Sequence, residues 1–215
     1  MPKVKAIFPC ALATACLSLS LHAAVTLNQT EDFSGPGGWS GGVPNPNPPV
    51  IVLDAGPLGA GDSALRVTSN GGIGAGGKLV VFNVTLWTGD YMAAGILSLA
   101  ADLRNLGTTT LSMRLAVNGP GGWFVTAVSP VAAFSGWNHA VFDIRPAALV
   151  SAGGGNATAT LAAVSELRIL HSAAVDFRGA QVSGAFMVDH LQAIPEPSAV
   201  MLAGLAGLVL LFRKR

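Results

Sequence analysis

Apolar residues recur at every second position through the middle of this chain. Leu111, Met113, Leu115 and Val117 alternate with Ser112, Arg114 and Ala116. Val80, Phe82, Val84 and Leu86 alternate with Val81, Asn83 and Thr85. A period of two belongs to a strand with one face toward a core. The segments 138–145 and 184–193 read the same way, and 25–33, 50–53, 64–68, 96–104, 123–128 and 167–171 are further candidates. Clusters of Gly, Pro and Asn separate them, and only 158–166 suggests a helical turn. Many short strands with turn residues between them predict an all-β chain, an antiparallel β-sandwich.

The two ends do not fit that pattern. Lys3 and Lys5 precede an apolar run that closes on His22-Ala23-Ala24. Basic, apolar and small residues in that order predict a secretory signal peptide over residues 1–24. A retained anchor is one alternative, and a lipoprotein leader around Ala13-Thr14-Ala15-Cys16 is another. Cys10 and Cys16 both lie in this leader. The exported part then has no disulfide, thiolate metal site or cysteine nucleophile.

At the other end, Pro195-Glu196-Pro197 precedes an apolar run, 199–212, and then Arg213-Lys214-Arg215. The run is predicted to form a short transmembrane helix, below the roughly 20 residues of a stable span. The basic residues should stay on the cytoplasmic side. The three parts in this order closely resemble the PEP-CTERM sorting signal of bacterial exported proteins. That resemblance implies transfer across the inner membrane of a Gram-negative-type cell by the secretion machinery. It also implies a membrane-anchored precursor and processing by an exosortase-type enzyme. The product would sit at the cell surface or outside it, often in cells that make exopolysaccharide. The remaining residues, 25–194, form one predicted β-sandwich domain, large enough for a core without disulfides.

Gly72 to Lys78 fits the spacing of a phosphate loop, but Leu79 stands where Ser or Thr must hold magnesium. The segment also leads into a strand, not a helix. His139, His171 and His190 show no helical metal spacing, and ordinary hydrogen-bonded histidines are expected. Gly61-Asp62-Ser63-Ala64-Leu65 lacks the second glycine of a Gly-x-Ser-x-Gly elbow. The body has seven basic and ten acidic residues, with the basic ones scattered, so no nucleic-acid surface is expected. Gly35-Pro36-Gly37-Gly38-Trp39 recurs as Gly119-Pro120-Gly121-Gly122-Trp123, which reads as two turns of like chemistry rather than a duplication.

The body also resembles laminin B-like domains, relatives of the galactose-binding jelly rolls. The similar parts are Glu31-Asp32-Phe33 with Trp39, the run Trp137 to Phe142, the run Val164 to Leu170, and Phe186-Met187-Val188-Asp189-His190-Leu191. Such domains often hold a structural calcium between their first and last strands. The resemblance therefore implies a calcium site at Asp32 and Asp189, with Glu31 assisting. Calcium takes roughly six to eight oxygens, so backbone carbonyls would supply most of them. Turn-capping carboxylates are the competing reading. The resemblance to a sugar-binding class makes polysaccharide the expected ligand. Sugar rings stack on indole, so Trp123, Trp39 and Trp87 are the candidate platform, with burial in the core the competing reading for each, while Trp137 is expected in the core.

The sequence thus predicts a non-enzymatic surface or extracellular β-sandwich that binds exopolysaccharide or contributes to a matrix. The alternative is a secreted polysaccharide-active hydrolase whose carboxylate pair only the fold brings together.

Overall fold

A computed structural model describes residues 24–35 and 37–195. In chain order the elements are β1 (Thr30–Glu31), β2 (Trp39–Ser40), β3 (Val50–Val52), β4 (Ala64–Asn70), β5 (Val80–Asn83), β6 (Ile96–Asn105) and β7 (Leu111–Asn118). They continue with β8 (Phe124–Val125), β9 (Ser129–Val131), β10 (Asn138–Asp143), β11 (Val150–Ser151), α1 (Ala157–Leu161), β12 (Glu166–His171) and β13 (Ser183–Pro195). Two antiparallel sheets result. One runs β10-β6-β13-β4-β3 with β1 also on β13; the other runs β11-β8-β7-β12-β5-β2 with β9 also on β7. The all-β jelly-roll-like sandwich expected from the sequence is the observed fold.

Alternation explains which faces meet. Leu99, Ala101 and Leu103 of β6 pack with Leu111, Met113, Leu115 and Val117 of β7 in one core cluster. Phe186, Val188 and Leu191 of β13 and Leu167 and Ile169 of β12 join it. The intervening residues of each strand face outward.

Several strands are shorter than their hydrophobic runs predict, and side chains show why. Asn28 and Phe33 take positive φ of 63° and 51°, so only Thr30–Glu31 of the expected 25–33 strand pairs. β5 stops at Asn83 because its side chain builds the next turn. Asn83 Oδ1 accepts the N–H groups of Thr85, Leu86 and Trp87, and Nδ2 donates to the Gly37 carbonyl at 2.6 Å. Val84 and Leu86 are consequently exposed. The helical turn expected at 158–166 is α1, capped by the Asn156 side chain on the Ala159 N–H.

On β13 the pairing with β6 shifts between Asp189 and Gln192. His190 sits in that irregularity with φ of 46°. This bulge aims both Asp189 and His190 to the outside of the six-stranded sheet. Among the described residues no helix is long and apolar enough to cross a membrane. The signal peptide expected over 1–24 lies, up to residue 23, outside the described residues, as do the apolar run 199–212 and Glu196, Pro197, Arg213, Lys214 and Arg215.

Candidate functional site

The outer face of the seven-stranded sheet carries an aromatic and arginine cluster. Its residues register across the strands. Val150 pairs with Val125, Val125 with Ala116, Ala116 with Arg168, Arg168 with Phe82, and Phe82 with Ser40. Six strands at about 4.8 Å spacing make this row about 24 Å long. Trp123, just before β8, packs over Ala116, Val125 and Leu170 together with Phe177. The Trp123 and Phe177 rings stack with centroids 4.4 Å apart and planes 8° from parallel. The Arg168 guanidinium lies 4.3 Å from the Trp123 ring and 5.5 Å from Phe82 and Phe177. Arg178 sits 4.6 Å from the Phe177 ring.

Arg168 is fixed by two further contacts. Its Nε donates to Glu166 Oε1 at 2.7 Å, and Nη1 donates to the Phe177 carbonyl at 3.1 Å. Arg114 anchors the segment leading to Phe177. It is buried, and it donates to the carbonyls of Ser172, Ala173 and Thr126. Burial lowers its pKa, yet a guanidinium remains charged throughout the ordinary pH range. The site is therefore a half-exposed, preordered surface of aromatic rings and hydrogen-bond donors. Such a surface can stack on the C–H face of a sugar ring and donate to its oxygens.

Of the three expected platform tryptophans, only Trp123 belongs to this surface. Trp87 has no exposed surface and lies in the core, so it cannot serve as a platform. The turn built by Asn83 folds it inward, and the Tyr91 hydroxyl donates to its carbonyl at 3.0 Å. Trp39 is also turned inward: it pairs with the inward-facing Asn83 and packs on the core, 6.0 Å from Phe33. Trp137, expected in the core, is half-exposed and belongs to neither apolar cluster. Sequence patterns gave no signal for Phe177, Phe82 or Arg168, because only sheet pairing brings them to Trp123.

A second cluster lies on the outer face of the six-stranded sheet. Asp62, Asp189 and His190 offer ligand atoms all within 4.8 Å of one another. Asp189 has no exposed surface. Its Oδ1 accepts the His190 N–H at 2.7 Å, but its Oδ2 is buried without a hydrogen-bond partner. Burial pushes the Asp189 pKa up to about 6. For His190 burial opposes the charged form, but Asp102 and Asp189 together raise its pKa. Its Nδ1 is 3.1 Å from Asp102 Oδ2, and His139 Nδ1 is 2.9 Å from Asp102 Oδ1. Gly56 closes the site: a Cβ there would collide with the Asp62 carboxylate and stand 2.8 Å from Asp189 Oδ2.

This cluster changes the expected metal set. Asp189 is in it, but Asp32 and Glu31 are not. Glu31 pairs with Leu191, beyond the bulge, and not with Asp189. Asp32 is exposed and closes a local turn, accepting the Ser34 N–H at 3.0 Å and its hydroxyl at 2.8 Å, which hold its pKa low. Burial raises the Glu31 pKa, against the pull of the Phe33 N–H. Asp62 takes their place, through a hairpin loop whose sequence shows no metal spacing. The two carboxylates, with one orphaned buried oxygen, fit a hard divalent cation of the calcium type. The His190 imidazole, turned to Asp102, would flank such an ion.

Comparison with known proteins follows the same division of the chain. Residues 193–215 match the PEP-CTERM protein-sorting motif, a signal of export to the surface or exterior through an exosortase-type system. No curated protein sequence is similar enough to count as a relative. Among solved structures, an exo-β-agarase is similar with a TM-score of 0.55 and 14% identity, over 81% of this chain and 25% of that one. A family 11 carbohydrate-binding module of Clostridium thermocellum, solved in complex with a β-1,3-1,4-mixed-linked tetrasaccharide, has a TM-score of 0.50 and 16% identity. That match covers 80% of this chain and 96% of the module. The solution structure named CtCBM11 gives 0.52 and 14%, over 87% and 100%. This chain thus spans about a quarter of the agarase but the whole length of the modules. These likenesses are likenesses of fold.

Proposed function

We propose that this protein is a non-enzymatic carbohydrate-binding protein of the bacterial surface or extracellular matrix. Residues 1–24 serve as its signal peptide and 25–194 as its binding domain. Residues 195–215 hold the precursor transiently in the inner membrane of a Gram-negative-type cell until an exosortase-type enzyme acts. The observation that carries the binding reading is the stacked Trp123–Phe177 pair with Arg168 on the outer face of the seven-stranded sheet. The fold of the carbohydrate-binding modules supports it, and export supports exopolysaccharide as the ligand class. A hydrolase needs two carboxylates that reach a substrate bond. Of the carboxylates that the fold brings together, Asp189, beside both Asp62 and Asp102, has no exposed surface, which favours binding over cleavage. We further propose calcium as a structural ion at that pair.

The test is affinity electrophoresis of the protein isolated from its host, in gels containing neutral β-glucan, agarose or the host's own exopolysaccharide. Retention should appear in at least one gel. Trp123→Ala and Phe177→Ala should each weaken it by about tenfold, the worth of one stacked aromatic contact, with both variants still folded at the assay temperature. Retention in both variants equal to that of the wild type would show that this face is not the binding surface.

A further inference from the structure

The charges on the outer face of the six-stranded sheet are sorted into rows. In one row His139 pairs with Asp102 and Asp102 with Asp189. In the next, two residues along the same face, Arg104 pairs with Met187, Met187 with Arg66, and Arg66 with Val50. Asp102 holds both His139 and His190, and Asp189 Oδ2 lies 3.7 Å from His190 Nδ1. The arginines are left over. Elsewhere Arg114 is bound by three carbonyls, Arg145 by Asp143, Arg168 by Glu166, and Arg178 lies on the Phe177 ring. Among the described residues the side chains of Arg66 and Arg104 have no hydrogen bond, ion pair or ring contact, and Arg104 Nε is buried without a partner.

Two like charges therefore stand about 10 Å apart at their backbones, two strand spacings across the buried Met187. A buried guanidinium N–H with no acceptor costs free energy unless a ligand supplies one. Arg104 also lines a cavity of about 120 Å³ with Asn105, Leu106, Phe134 and Ser135. Phe134 is 71% exposed. Ser135 Oγ accepts the Asn105 N–H, which leaves its own proton for a ligand oxygen. The cavity thus joins an apolar ring, a hydroxyl donor and a charged planar fork.

We propose that Arg66, Arg104 and the Phe134 cavity form a second binding site, selective for the sulfate or carboxylate groups of an acidic polysaccharide. A sugar ring lies against Phe134 with its anionic group on the Arg104 fork, and Arg66 takes an anionic group further along the chain. Guanidinium binds planar carboxylates and sulfate oxygens through paired N–H groups, which a single-point cation cannot match. The site rests on the carbohydrate-binding reading only for the source of the anion, and it lies on the opposite sheet from Trp123.

The experiment compares retention of the isolated protein in gels of carrageenan, polygalacturonate, neutral β-glucan and duplex DNA, and measures the melting temperature with inorganic sulfate. We expect retention in one or both acidic gels, weakening as salt is raised. Arg66→Gln and Arg104→Gln should each reduce it by about tenfold, leave retention on neutral glucan unchanged, and reduce the melting shift with sulfate. Arg145→Gln should change nothing. Phe134→Ala should weaken acidic polysaccharide but not sulfate. Arg104→Lys keeps the charge without the fork, so retention between wild type and Arg104→Gln separates lost binding from lost folding. Unchanged acidic retention in the Arg66→Gln/Arg104→Gln double variant overturns the site, as does absence of both acidic retention and a sulfate shift. Stronger retention by DNA than by either acidic gel overturns the polysaccharide assignment. Loss of neutral binding in Trp123→Ala, with acidic binding kept, shows two independent sites.

Discussion

Asp189→Asn should stabilise the protein when divalent cations are absent. Asp189 is wholly buried, and its Oδ2 has no hydrogen-bond partner. Its pKa is pushed from 3.8 up to about 6. A carboxyl raised by about two units holds its proton more tightly in the folded state, so stability is lost as pH climbs from about 4 through about 6. The penalty is then complete at neutral pH. At 1.36 kcal/mol per unit it amounts to about 3 kcal/mol. Asparagine removes the charge and keeps an oxygen to accept the His190 N–H. Its new N–H group can donate toward Asp62, within 4.8 Å of the same cluster. For a domain of this size, about 3 kcal/mol corresponds to a melting temperature higher by roughly 6–12 °C. Calcium should reverse the order. The wild-type melting temperature should rise with calcium, because an ion held only by the native state adds stability, and Asp189→Asn should lose most of that rise. Scanning calorimetry of both proteins at neutral pH, with chelator and then with calcium, measures all four values. A less stable Asp189→Asn in chelator would refute the reasoning, since it would mean that the charge is already compensated within the fold. A wild-type melt unmoved by calcium would remove the ion from the site.

Three other outcomes are expected. Arg114→Gln leaves the carbonyls of Ser172, Ala173 and Thr126 without their buried donor, which should cost about 2–4 kcal/mol in urea unfolding and loosen Phe177 enough to weaken polysaccharide retention. His171 Nδ1 accepts the Ser112 N–H at 2.8 Å, and burial lowers its pKa below 6.5; the unfolded chain therefore binds the proton better, and stability should fall as pH drops through and below 6.5. Removing His171 as His171→Gln should flatten that part of the pH profile. Intact-mass analysis of the protein from its host should show loss of the leader and of the tail 199–212, and a mature mass that retains the tail would leave a plain membrane anchor in place of sorting.

The sequence alone determined the class of fold and the handling of the chain. Two-residue alternation in segments such as 111–117 can bury one face only in a sheet, and turn residues every few positions limit strand length, so a sandwich follows from local pattern. The Pro-Glu-Pro, apolar run and basic end are contiguous, so nothing about their reading needs tertiary contacts. The binding surfaces are different. One pentapeptide precedes or includes Trp39 and Trp123, yet the first indole turns to the core and the second to the outside. The difference is set by partners: Trp39 pairs with inward-facing Asn83, whereas Phe124 takes the inward position after Trp123. Phe82, Arg168 and Phe177 reach Trp123 only through pairing of β5, β12 and β8 with their neighbours. Asp62 meets Asp189 because a hairpin loop folds over a bulge more than a hundred residues away. Alternation fixes which side of its own strand a residue occupies, but register between distant strands decides which residues share that side, and register is a property of the assembled sheet.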